Sequence, residues 1–493
     1  MTGSDLPVLL VIVPLLAAPL CLVLRHGSAA WAVALASSGY CLYAAYTLLG
    51  TVRAGGTLDY AMGGWPAPWG IAYRIDLLNA YVLLLVAAIA AVVVLYARVS
   101  AAVEIPRHQH ARFYAALLLC LAGMLGITIT GDAFNLFVFL EISSLSSYAL
   151  ISLGRDRRAL TASYQYLIMG TLGATFILIG VGLLYMLTGT LNMVDIAGRI
   201  QGLAGNRTLL AAFAFLVAGI GLKLALFPLH LWLPNAYAYA PSVVTALLAG
   251  TATKVAVYVL LRFLYTVFGY DLAFADAFLH YLLAALAVVG LLVASTVAIF
   301  QDDVKRMLAY SSVAQIGYTV LGISLLNQTG LTAALVHLFN HGLMKTALFL
   351  ALGCVFYRLG SVCLDDLRGL GRQMPWTLAA FVAGGLSLIG VPLTVGFISK
   401  WYLVLAALEL GWWPVAVVVL GGSLLSVIYI GRVVEVAYMQ PRPAGAERVR
   451  EAPLGLLLPT WALVAATFWF GIDTGLTLGT AGEIAGQLFG GGR

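Results

Sequence analysis

The sequence contains only five lysines, and four of them, Lys223, Lys254, Lys345 and Lys400, fall inside long runs of apolar residues. A charge at the centre of a bilayer costs roughly 2.5–3.5 kcal/mol on insertion scales, so intramembrane charges mark function. Lysine suits one function in particular. A buried ammonium can give up its proton, whereas a guanidinium stays charged in almost any setting. These lysines therefore read as proton carriers, with Lys400 nearest the end of its run. Glu141 stands in the middle of LFVFLEISSLSSYAL, the one acid placed deep in a run, and Lys223 is its natural partner. A carboxyl group in that setting is protonated or paired. The two residues make either a switchable pair or a static contact between helices. Asp76, Asp132, Glu409 and Glu435 lie near the ends of runs, where a solvated reading holds.

His337, His341 and Lys345 recur every four residues in TAALVHLFNHGLMKTALFLAL. On a helix they share one face, spread over about 12 Å at 1.5 Å per residue. Histidine titrates near neutrality, which suits a relay. Histidines one turn apart can also chelate zinc, but no HExxH glutamate accompanies them. Asn340, with Ser311, Ser312, Gln315 and Tyr318 of the preceding run, either holds water between titrating groups or bonds helix to helix. His230 either receives protons from Lys223 or caps the loop that follows it. His108 and His110 belong to a charged, solvated loop. Five cysteines with no CxxC pair argue against iron–sulfur and zinc sites. No nucleotide, nucleophile-triad or haem motif is present, so no metal or cofactor is expected.

Membrane helices must position these groups. The chain is 62% hydrophobic and 9% charged, against about 45–50% and 25% in soluble domains, so lipid is its solvent. The net charge of +6 is scattered singly over short loops and offers nucleic acid no basic patch. Apolar runs between turn residues place about fourteen spans near 7–24, 29–51, 75–97, 112–130, 133–152, 161–187, 208–229, 242–267, 275–299, 306–327, 330–357, 377–405, 413–438 and 454–472. The first lacks a basic n-region and reads as a retained helix. Loops after odd-numbered spans carry fifteen Lys and Arg, among them Arg155, Arg157, Arg158 and Lys305. Loops after even-numbered spans carry five: Arg53, Arg74, Arg199, Arg207 and Arg262. The positive-inside rule then puts both termini outside a cell (inner) membrane.

Two spans are interrupted. Pro228 follows Lys223 in GIGLKLALFPLHLWLPNAYAYAP, and Pro392, with Gly390 and Gly396, precedes Lys400 in GGLSLIGVPLTVGFISKWYLVLAAL. Proline breaks or kinks a helix, and at membrane depth the freed backbone must face protein or a water-filled cavity. Broken helices at corresponding places in two halves point to an inverted-repeat transporter. The expected fold is an all-α integral membrane protein with broken helices 7 and 12. Its expected parts are helices 1–3 (1–111), a first repeat of spans 4–8 (112–267), a second of spans 9–13 (275–438), and helix 14 with its tail (454–493).

Five segments carry a resemblance over nearly the whole chain: GDAFNLFVFLEISSLSSYAL, KLALFPLHLWLPNAYAYAPSVVTALLAGTATK, QDDVKRMLAYSSVAQIGY, FNHGLMKTALF and GVPLTVGFISKW. They are similar to the proton-conducting antiporter-like family. That family includes large membrane subunits of respiratory complex I, of membrane-bound hydrogenases and of Mrp-type cation/proton antiporters. With the GGWPAPWGIAYRID run before span 3, the wording most resembles the D-type Mrp chains. The resemblance implies that Glu141 pairs with Lys223, that Lys254 links the first half-channel to the centre, that His337 or His341 serves the second half, and that Lys400 is the span 12 group. It implies a subunit of a multisubunit Na+(K+)/H+ antiporter rather than an enzyme. Its partners would be other subunits of the complex, protons, Na+ or K+ and the lipid bilayer. The alternative is a proton-pumping subunit of a redox-driven complex, an NADH:quinone oxidoreductase or membrane-bound hydrogenase.

Overall fold

The computed structural model describes residues 5–203, 205–274, 277–445 and 447–490. Among them, twelve helices are long and apolar enough to cross a membrane. Two further crossings bring the spans to the expected fourteen. Val304–Ser324 is long but polar, and Pro375–Ile389 with Val395–Glu409 form one crossing in two halves. Spans 1 to 6 are Leu6–Leu24, Gly27–Gly55, Leu77–Glu104, His110–Ile129, Ala133–Ser152 and Arg158–Thr188. Span 7 runs Arg207–Leu224 and resumes at Trp232–Tyr239. Span 8 is Ser242–Leu261, extended by the π turn Arg262–Val267, and span 9 is Ala277–Ile299. Span 10 is Val304–Ser324, span 11 Gln328–Leu359, span 13 Trp413–Val434 and span 14 Leu454–Ile472.

Span 10 tolerates its polarity because protein surrounds it. Every residue from Val304 to Ser324 except Arg306 and Tyr310 is buried. The most apolar window of span 8 is 94% buried, against 33% for spans 1 and 13. Spans 3, 4, 8, 10 and 11 thus form an inner layer, and the spans around them face lipid or other protein. Small residues let the inner helices touch. A Cβ on Gly342 would lie 3.0 Å from the carbonyl oxygen of Gly250, and one on Gly250 would overlap the Thr346 hydroxyl. This contact brings span 8 and its Lys254 against span 11 and its histidines.

On the face opposite the arginine-rich loops, Leu58–Ala61 pairs antiparallel with Ala72–Ile75. Asp76 then caps span 3 in a capping box with Asn79. Two expectations fail in this region. Arg262 is not a loop charge, nor is Asp76 simply solvated: the Arg262 guanidinium meets the carboxylate in two bonds, at 2.6 and 2.9 Å. The span 8 helix continues through Arg262 as a π turn, which carries the arginine inward to its partner. Two more fail on the arginine-rich side. Lys305 is a buried residue of span 10 rather than a loop lysine, and Glu104, at the end of span 3, is an acid buried more deeply than Glu141.

Candidate proton path

Span 7 breaks within two residues of its lysine. Ala225 takes a left-handed conformation with φ 59° and ends the first half, and Pro228 lies in the turn that follows. A helix end leaves carbonyls without partners. Trp232 supplies one donor from beyond the break, its indole N–H reaching Leu222 O at 3.0 Å, while its ring stacks on Tyr166. Lys223 sits in the last turn of that half, where the helix dipole favours a cation. Its ammonium donates to Ser144 Oγ at 2.7 Å, and Glu141 Oε1 stands 3.9 Å away. The Glu141 side chain is 28% exposed and that of Lys223 7%. Among the described residues, Glu141 Oε1 accepts no hydrogen bond. A cavity of about 40 Å³ adjoins the ammonium, lined by Ser143, Ser144, Ser147 and Tyr166, and is roomy enough for water.

Span 12 breaks by the same logic with the lysine on the other side. Gly390, with φ 94°, ends the first half, and the second half begins at Val395. Pro392 lies in the link. Lys400 reaches back from the second half and donates to Leu388 O and Ile389 O, both at 2.9 Å. Its ammonium also lies over the Tyr318 ring, 4.9 Å from the centroid. A cavity of about 290 Å³ between spans 12 and 13 is lined by Gly390, Phe397, Lys400, Trp401 and Ser423. Lys400 thus meets the carbonyl end of a broken helix, whereas Lys223, in the last turn before its break, turns its ammonium to Ser144 and Glu141 of span 5. Backbone exposed at such a break is the arrangement by which discontinuous membrane helices hold cations.

The groups between them are wholly buried. His337 and His341 stack with ring centroids 5.8 Å apart, and His337 Nδ1 bonds Ser399 Oγ of span 12 at 2.8 Å. Lys254, Lys345 and Lys400 all lie within electrostatic reach of His337. Lys254 donates to Ala249 O and Thr253 Oγ1 of its own helix. Lys345 donates to Leu308 O at 2.9 Å and to Ser311 Oγ at 2.7 Å. The Ser311 and Tyr429 hydroxyls are 3.0 Å apart, which extends the chain to span 13. The polar cluster of span 10 divides in two. Ser311 and Tyr318 bond to other helices, as Asn340 does through Val395 O. Both amide atoms of Gln315, Nε2 of each histidine and Asn340 Oδ1 are buried and have no partner among the described residues. Buried polar atoms almost always find a partner or a water, so this stretch is built for water. His230 is buried beside Phe227 and Tyr310, and its Nδ1 has no partner among the described residues. No third His, Cys, Asp or Glu joins His337 and His341 among the described residues, and a structural zinc site takes four ligands.

The match to known proteins falls on this same region. The family profile described as NADH:quinone oxidoreductase/Mrp antiporter, TM, covers residues 130–426. The chain belongs to that family. The N-type subunit of NADH-quinone oxidoreductase from Desulforudis audaxviator is 44% identical over 480 residues, covering 93% of this chain and 94% of the relative. The D-type subunit of the Na(+)/H(+) antiporter from Alkalihalophilus pseudofirmus is 33% identical over 411 residues, 83% of this chain and 82% of the relative. Among solved structures, a chain of the Mrp complex from Dietzia sp. DQ12-45-1b matches with TM-score 0.91 and 28% identity, covering 100% of this chain and 98% of that one. Members of the antiporter-like family are multi-pass membrane proteins, as this chain is, and the matched fold occurs in a multisubunit membrane complex.

Three participants are missing from the sequence reading. Ser144, three residues after Glu141, shares its helix face, and that spacing is a usable signal. Ser399 bonds His337 and Tyr429 bonds Ser311 from other spans, and nothing in their local sequence announces it.

Proposed function

We propose that the chain carries protons across the membrane as one subunit of a multisubunit complex. The path runs from the Glu141–Lys223 pair through Lys254, His341, His337 and Lys345 to Lys400. The observation that carries this reading is the pair of broken helices, each with a buried lysine beside its break, with imidazole and amide atoms between them that lack partners among the described residues. Lys223 has two partners to choose between, Ser144 and Glu141. Moving between them gates the path, and each positive charge that arrives promotes proton release from the next lysine. Spans 4–8 and 9–13 are the two repeats that supply one broken helix each. The arginine-rich loops face the cytoplasm of a cell (inner) membrane, with both termini outside.

Two kinds of complex would use this path. The NADH-quinone oxidoreductase relative has the higher identity of the two curated relatives, over nearly the whole chain, and it favours a pump driven by electron transfer. The antiporter relative and the Mrp structure favour exchange of protons for Na+ or K+. Inverted vesicles carrying the chain with its operon partners separate the two. A proton gradient built by NADH or another electron donor establishes the pump. Collapse of a preformed gradient by Na+ or K+ establishes the antiporter. If Lys223→Ala, in an assembled complex, leaves transport at the wild-type rate in both assays, the path is wrong.

A further inference from the structure

Two buried charges stand apart from this path. Glu104 is 5% exposed and Lys305 3%. Glu104 accepts from Ser100 Oγ at 2.7 Å and from the backbone N–H of Ser242 at 2.8 Å. Lys305 donates to Ala240 O at 3.3 Å and lies over the Phe356 ring. The two charges therefore hold the same turn, Ala240 to Ser242, where span 8 begins. Lys305 also lies within electrostatic reach of Glu104 and of Asp303. Glu104 further lines a cleft of about 750 Å³ on the arginine-rich side, together with Arg107, Gln109, Ser152 and Arg155.

Span 10 leads inward from this point. Leu308 lies one turn beyond Lys305, and its carbonyl accepts from Ser312 Oγ at 3.0 Å and from the Lys345 ammonium at 2.9 Å. Lys305, Ser312 and Gln315 fall on one helical face, since residues three and four apart are neighbours. Lys305 to Gln315 covers about 15 Å along the axis. Gln315 is fully buried, and neither of its amide atoms has a partner among the described residues. A helical face with Lys305 within electrostatic reach of Glu104 at the open cleft, Ser312 and the orphaned amide atoms of Gln315 further in, and the Lys345 ammonium on Leu308 O beside it has the form of a channel.

We propose that Glu104 and Lys305 form the inner mouth of the proton path, joined to Lys345 along the Ser312–Gln315 face of span 10. The proposal rests on the proton-path reading above. The Lys305 ammonium gives its proton, through water beside Ser312, to an uncharged Lys345. The Glu104 carboxylate then takes a proton from cleft water and passes it to the Lys305 amine, and both Glu104 and Lys305 return to their starting charged states. No other bond changes.

The competing role is a clamp that only fixes the turn at Ala240 to Ser242. Lys305→Arg keeps the positive charge and a donor for Ala240 O but cannot release a proton. Lys305→His can carry a proton but is too short to keep the clamp. Both are made in the full complex in inverted vesicles, and proton transport is measured per assembled complex, with Lys223→Ala alongside. Lys305→Arg is expected to lose about 100-fold in rate, the low end of what removing a proton-transfer group costs, while Lys305→His keeps measurable transport. Wild-type transport by Lys305→Arg overturns the proposal. If only Lys305→His assembles, its transport supports the mouth and its inactivity overturns it. Failure of both to assemble shows a structural clamp and overturns it too. An active Lys223→Ala would instead sink the underlying path, whatever Lys305 does.

Discussion

Ser144→Ala tests how the Lys223 gate works. The ammonium donates to the serine hydroxyl at 2.7 Å, while the carboxylate oxygen of Glu141 waits at 3.9 Å with no partner of its own. A hydrogen bond to a charged group contributes about 1.5–3 kcal/mol. At about 1.4 kcal/mol per decade, losing it shifts the ammonium toward Glu141 by roughly 10- to 150-fold. The closed pair then predominates, and each transport cycle must break it. Proton transport per assembled complex, followed by a pH-sensitive dye in inverted vesicles, should fall about tenfold or more by the same arithmetic. Ser144→Thr keeps the hydroxyl and should restore most of the rate. Transport at the wild-type rate in Ser144→Ala would refute the gate, and so would equal damage in Ser144→Thr, which would point to packing.

Gly250→Leu places a side chain where spans 8 and 11 meet, against Thr346 and Ile89. Overpacking of this kind costs about 1–3 kcal/mol, so the detergent-solubilised protein should melt earlier, and an unchanged melting temperature would contradict the close contact. Arg262→Met leaves Asp76 without its partner at a cost of roughly 3–5 kcal/mol, again read as a lower melting temperature. The same pair predicts a pH dependence. Burial alone would raise the Asp76 carboxyl, but the Arg262 guanidinium outweighs it and holds the group below its usual range. A carboxyl lowered in the folded state stabilises above its unfolded value and loses that contribution as pH falls. Wild-type melting should therefore drop below about pH 4. Asp76→Asn should melt earlier at neutral pH with a shallower acid loss, and an identical acid profile would count against the pair.

The spans are legible because lipid imposes a simple rule: about 20 apolar residues per crossing. Span 10 shows where that rule thins out, since Val304–Ser324 is enclosed by protein and need not be apolar. The breaks at Pro228 and Pro392 are readable because proline and glycine act locally. The His337–His341–Lys345 stripe is readable because helical spacing alone puts them on one face. Tertiary placement is not readable. Arg262 and Lys305 sit in sequence beside loop residues, so they look like loop charges. Only the π turn after Leu261 and the burial of span 10 turn them inward. Asp76 looks solvated because its partner lies 186 residues away. Ser399 and Tyr429 are ordinary residues until distant helices meet them.

Lys254 tests the central claim most directly. It stands on the most buried span, between the two broken helices, and reaches no acid within salt-bridge distance among the described residues. The measurement is proton transport by Lys254→Met in the assembled complex, set beside wild type under both the electron-donor and the cation drive. A proton path through the centre predicts that transport is abolished under whichever drive works in wild type, with assembly unchanged. Wild-type transport in Lys254→Met would show that protons do not cross by way of these lysines.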